Sequence, residues 1–322
     1  MAVIAACGGG GGDIGENIPP NPSTTPSQNS SIINTIQTPA YTTNSEELAA
    51  FNRLNAERHH CGFGTLRQDI RLDQAARAHA DWMLINNIYA HIESSAYFNG
   101  FTGTNSWNRA SFAGYPATYY TSELIAFGST GTIAGRGEKG VRELFAGVYH
   151  AIGALRPMKD VGISVRAPSD VGSETLIVPT ELVLGTTDGY QLPGVTDILT
   201  YPCEGVTGTE YQLDDEEPNP VPERNLGGSP LGHPIIVMAR MGQTLTISAA
   251  AMNRVRDNQS VSLRPPVTGA ADPNNHLANE PHFGYVLPDV PLEPLTSYRV
   301  TISGTNNGMS FTKNFIFTTG AG

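Results

Sequence analysis

The sequence predicts an α+β protein, with helices first and an all-β second half, and three features predict it. Leu72, Ala75, Ala76, His79, Ala80 and Met83 recur at three- and four-residue steps, which stacks them on one helical face. After Pro157 the pattern changes, and residues 161–165 and 175–184 are β-rich between Gly-containing turns. Near the end, residues 298–302 alternate in polarity and a Thr-Asn-Asn-Gly turn follows at 305–308. Phe311, Phe315 and Phe317 then fall on one strand face.

Along the chain each element has a local cause. Residues 8–44 are Gly-rich, then rich in Pro, Ser, Thr and Asn, too polar to offset the entropy of ordering, so a disordered tether is expected. Asn44 and Ser45 are good N-caps for a helix reaching residue 60, and Glu46 and Glu47 suit the positive end of its dipole. Gly62 and Gly64 end it. Asp69 or Asp73 opens the helix that begins at Arg71. Asn86 and Asn87 close it, which leaves His91 at the start of a loop. Residues 96–114 read as loop with a short helix at 107–113. A third helix is expected over 138–152, with Val141, Leu144, Phe145 and Val148 on one side. In the second half, residues 235–239, 244–248 and 261–263 are candidate strands ahead of the final hairpin, a spacing that suggests a β-sandwich of roughly one hundred residues. With a boundary at Pro202 and Cys203, the expected division is 1–44, 45–202 and 203–322.

Composition excludes some functions. The net charge of −11 disfavours nucleic acid and anionic membrane surfaces, which are approached through Lys and Arg. No run of eighteen or more apolar residues exists to span a bilayer. Ile4-Ala5-Ala6-Cys7, followed by five glycines, resembles the end of a bacterial lipoprotein signal, although only six residues precede the cysteine. That resemblance implies lipidation at Cys7, an extracytoplasmic location, periplasmic or cell-surface, and membrane contact only through the anchor. Cys61 and Cys203 remain as an even pair, for which a disulfide is expected in an oxidising compartment.

The stretch from Leu54 to Met83, continuing to Tyr89-Ala90-His91-Ile92-Glu93, is similar to the start of the CAP superfamily, also called the SCP domain, which contains cysteine-rich secretory, antigen 5 and pathogenesis-related type-one proteins. The matching features are Asn55-x-x-Arg58, the Leu66 to Asp69 step, Ala-x-x-His79-Ala, and His91. They continue with Arg109 to Tyr115, Ser122-Glu123-Leu124, the helix ending at His150, and the strand DVGISV. The resemblance covers about residues 46–190 and implies an α-β-α sandwich around a cleft of two histidines and two acids. By position His91, Glu123 and His150 fill three of these places. Val148 stands where the second acid belongs. The C-terminal part resembles bacterial Ig-like domains, so an all-β Ig-like sandwich is expected after the CAP-like one.

Two neutral imidazoles from separate segments can hold Zn²⁺ or another divalent ion, with Glu123 as third ligand or as the orienting carboxylate behind them. His79, on an apolar helix face, reads as a core histidine. His59 and His60 read as solvated, as does the acidic run 214–217. Tyr119, Tyr120 and Phe127 flank Glu123 as cleft wall or core. No G-x-S-x-G elbow, phosphate loop or dinucleotide fingerprint is present. The resemblance implies a non-enzymatic module that binds a lipid, a sterol or a cell-surface molecule, with the β-sandwich as spacer or second contact surface. The alternatives are a metal-dependent hydrolase of the periplasm or cell surface, using Glu123 as base, and an adhesin or envelope-structural protein with a vestigial cleft.

Overall fold

The computed structural model describes residues 29–97, 99–116 and 121–321; Cys7, Tyr119 and Tyr120 lie outside them. The first half contains α1 (Glu46–His60), β1 (Arg67–Gln68), α2 (Ile70–Asn86), α3 (Ser106–Phe112), β2 (Ser122–Gly128), α4 (Arg136–Ala146), α5 (Val148–Leu155), β3 (Asp160–Val165) and β4 (Val178–Gly185). The strands form one mixed sheet in the order β1-β3-β4-β2, antiparallel except where β1 runs parallel to β3. The protein is α+β, as the patterning predicts.

Helices cover both faces of this sheet. Along β4, Leu182 and Leu184 join the cluster holding Leu54, Val141 and Leu144, whereas Val183 between them packs with Leu72, Ala76 and Tyr115. Each such fully buried aliphatic side chain contributes about 1.5–3 kcal/mol. α2 approaches β3 so closely that its backbone at Leu72 and Asp73 occupies the space a side chain on Gly162 would need. Ser45 caps α1 by accepting from the Leu48 N–H at 3.1 Å. The Asn55 and Arg58 of the CAP-like motif are structural. Asn55 brackets Leu66 with two hydrogen bonds, and the buried Arg58 guanidinium donates to the carbonyls of Phe63, Gly64, Ala154 and Arg156. Burial lowers the Arg58 pKa to about 9.

The second half contains β5 (Leu199–Tyr201), β6 (Thr207–Thr209), β7 (Gln212–Leu213), β8 (Leu231–Gly232), β9 (Ile235–Met238), β10 (Leu245–Arg254), β11 (Val267–Thr268), β12 (Phe283–Val286), β13 (Ser297–Asn306) and β14 (Met309–Thr319). Two four-stranded sheets, β10-β13-β14-β6 and β11-β12-β9-β5, and the β7-β8 pair make up this part. β5 precedes the expected boundary at Pro202 yet pairs with β9. One buried apolar cluster runs from Phe51 of α1 to Phe317 of β14, and Phe145 meets Tyr201 with ring centroids 4.4 Å apart. The expected disulfide joins Cys61 to Cys203.

Several expectations need correction. The helix expected over 138–152 is two helices separated at Gly147. Residues 261–263 form no strand, only an isolated bridge from Leu263 to Pro288. The expected tether does not run to residue 44. Ser31 N–H donates to the Leu192 carbonyl at 2.8 Å, the Ile33 carbonyl accepts from Thr65 N–H at 2.8 Å, and Tyr41 donates to Asp73 at 2.5 Å. Ile32, Ile33 and Tyr41 supply the apolar surface that the polar composition around them obscures.

Candidate functional site

Four elements deliver side chains to one cleft. α2 ends as its asparagines predict: Asn87 adopts the left-handed conformation (φ 52°) and its N–H returns to the Met83 carbonyl. The chain then carries His91 toward β2, where His91 Nδ1 lies 3.1 Å from Glu123 Oε1. The other oxygen of Glu123 accepts from Arg109 of α3, whose guanidinium also donates to the His91 carbonyl at 3.0 Å. From the opposite side α5 presents His150, with its ring centroid 6.5 Å from that of His91 and the planes 30° apart. Thus His91, Glu123 and His150 come together.

The missing acid arrives from elsewhere. Val148 is fully buried, and its backbone rather than its side chain meets a carboxylate: Val148 N–H donates to Glu216 Oε2 at 2.7 Å. Tyr149 N–H at 2.7 Å, His150 N–H at 3.1 Å and His150 Nδ1 at 3.1 Å all reach Glu216 Oε1. Glu216 belongs to the acidic run read as solvated linker. That reading holds for Asp214, Asp215 and Glu217, which are exposed, and fails for Glu216, which is buried.

An ionised carboxylate only accepts, so in a neutral ring beside one, Nδ1 carries the proton and Nε2 keeps its lone pair. No described group is hydrogen-bonded to either Nε2. The side chains are 43% exposed for His91 and 16% for His150, so the pair is open to solvent. This is the carboxylate–histidine arrangement that suits imidazole to a divalent ion. Glu123 stands behind His91 with both oxygens engaged, in the orienting place rather than as third ligand. Each Glu123 oxygen thus already has a hydrogen-bond partner.

Behind the cleft lies a buried polar group that sequence reasoning missed. His79 is fully buried, as its apolar face predicts, with Nδ1 3.0 Å from Glu93 Oε1 and Nε2 3.0 Å from the Ala90 carbonyl. Burial, the largest influence, pushes its pKa down. Burial alone would raise Glu123, but Arg109, His79 and His91 outweigh it and hold that carboxyl well below the usual range. Burial and the adjacent Glu123 push Glu181 of β4 well above it. Among the described residues no donor reaches either Glu181 oxygen, and burial beside the Glu123 charge favours its protonated form. His79, Glu123 and Glu181 each bring one ligand atom within 4.8 Å of the others, a spacing a metal ion could bridge. Both His79 nitrogens are already engaged, which favours a shared proton there. Across the β2–β4 ladder Glu123 pairs with Val183 and Glu181 with Ile125, so the two acids are diagonal neighbours, a relation set by strand register that nothing in the sequence marks.

No family model matches the chain, and no curated protein matches it. Among solved structures, an outer surface protein from Borrelia burgdorferi is similar with a TM-score of 0.36 and 14% identity, over 46% of this chain and 97% of that one.

Proposed function

We propose that this is an extracytoplasmic binding protein of the CAP type, tethered through Cys7, whose cleft takes a divalent ion, Zn²⁺ foremost, between His91 and His150. The observation that carries the reading is the paired geometry: two solvent-open imidazoles, each with Nδ1 3.1 Å from a carboxylate that leaves Nε2 available. The order of motifs from Asn55 to His150 supports the CAP assignment, and the helices on both faces of the first sheet agree with it. The two sheets of the second half are in keeping with an Ig-like module. The Cys61–Cys203 bridge supports an oxidising compartment. Among the described residues no helix is long and apolar enough to cross a membrane.

Binding is favoured over hydrolysis because both cleft carboxylates are consumed in orientation: Glu123 by Arg109 and His91, Glu216 by three N–H groups and His150. The ligand class we propose is a lipid, a sterol or a cell-surface molecule, engaged at the cleft and its rim. The test is Zn²⁺ calorimetry on the protein and on His91→Ala and His150→Ala. Micromolar binding, about −8 kcal/mol, lost in both variants is the expected result. No heat, or heat indifferent to both substitutions, overturns the metal reading. Co-sedimentation with phosphatidylcholine vesicles, with and without sterol, tests the lipid reading.

A further inference from the structure

The cleft is not built from the helix–sheet half alone. His150 sits in the first turn of α5, and the carboxylate that caps that turn comes from beyond residue 202. Glu216, with no exposed side-chain surface, accepts from the N–H groups of Val148, Tyr149 and His150 and from the His150 ring. The neighbouring Tyr149 is gripped from the same side. Its hydroxyl donates to Asp272 Oδ1 at 2.5 Å and accepts from Asn274 at 3.0 Å, and its ring lies 4.8 Å from that of His276. Asn274 also donates to the Asn219 carbonyl at 2.7 Å, which ties the segment carrying Glu216 to the loop holding Tyr149.

Gly147 makes room for this arrangement. A Cβ there would lie 2.6 Å from Glu216 Oε1 and 3.2 Å from His150 Nδ1. The residue that splits α4 from α5 is therefore the one whose missing side chain admits the carboxylate.

We propose that Glu216 is the positioning residue for His150, so that the two-imidazole cleft is assembled from both halves of the chain and its ion affinity depends on the seating of the 203–322 half. The inference rests on the reading of the cleft as an ion site. Glu216 does not touch the ion. It fixes the tautomer and orientation of the ring that does, as carboxylates behind metal-binding histidines do.

The experiment uses the full chain and two readouts. Long-range ¹H–¹⁵N correlation on metal-free protein reports which nitrogen of His150 is protonated, and calorimetry reports Zn²⁺ affinity. The wild type is expected to hold His150 as the Nδ1–H tautomer. Glu216→Gln and, independently, Gly147→Ala are expected to mix the tautomers and weaken Zn²⁺ binding about 10–100-fold. Glu217→Gln, on an exposed neighbour, should stay within about twofold. His150 found as the Nε2–H tautomer in the wild type, or unchanged in both variants, overturns the proposal. If the wild type takes no Zn²⁺, the ion reading falls, and the tautomer result still decides the role of Glu216.

Discussion

Nδ1 of His150 and Oε1 of Glu216 lie 3.1 Å apart although 66 residues separate them in sequence. Three backbone N–H groups end on the same carboxylate, so it serves at once as helix cap and as histidine orienter. Replacing Glu216 by Ala strands these donors in a buried place. The expected loss is roughly 2–4 kcal/mol, a cap plus charge-assisted hydrogen bonds, read as a lower urea midpoint with unchanged slope.

The side chains of Arg109 and Glu123 are almost fully enclosed and paired with one another. Arg109→Leu leaves the Glu123 charge uncompensated and should cost about 3–5 kcal/mol. Adding Glu123→Gln to that variant should recover a large part of the loss. Chemical denaturation of the double-mutant cycle measures the coupling, and simple additivity of the two substitutions would contradict the pairing.

His233 is fully buried between Tyr201 and Phe317, and among the described residues neither ring nitrogen has a hydrogen-bond partner. Burial lowers its pKa from 6.5 to about 3. Below pH 6.5 the unfolded chain takes up a proton that the folded protein refuses, so stability falls as pH drops from about 6.5 to about 3. The contribution of this residue is on the order of 4 kcal/mol. His233→Phe should flatten stability over that window, as thermal unfolding at a series of pH values would show.

Glu181 has the opposite dependence. Its folded pKa lies well above the ordinary 4.5 because of burial and Glu123. The folded state therefore holds a proton that the unfolded chain releases, and stability declines as pH rises above about 4.5 toward the folded value. Glu181→Gln, which imitates the protonated form, should be tolerated and should gain stability relative to wild type as pH increases.

The sequence separation of the Cys61–Cys203 pair is 142 residues. By loop entropy its reduction should cost up to roughly 5 kcal/mol. A non-reducing peptide map should recover the two peptides joined, and a lower melting temperature under reductant measures the effect.

Much of this was legible where local chemistry decides. Asn86 and Asn87 announced the end of α2, because Asn tolerates the left-handed conformation that Asn87 adopts. The β13–β14 hairpin was announced by its alternation and by the Asn307-Gly308 turn, in which both residues have positive φ. Of the cleft, His91, Glu123 and His150 were found through the order of motifs. What was hidden depends on distant contacts. Gly147 separates two helices where the periodicity runs on, and a side chain there would meet the Glu216 carboxylate. Glu216 itself sits among three exposed acids, and nothing in its own neighbourhood marks it as buried. The strand expected at 261–263 has the right residues but gains no ladder partner beyond one bridge.

We place ion binding at the open pair of His91 and His150 and not in the buried group behind it. Crystals of the full chain soaked in Zn²⁺ and measured at the zinc absorption edge test it most directly. The expected result is an anomalous peak between the two imidazoles, lost in His150→Ala crystals. A peak among His79, Glu123 and Glu181, or none at either place, would contradict it.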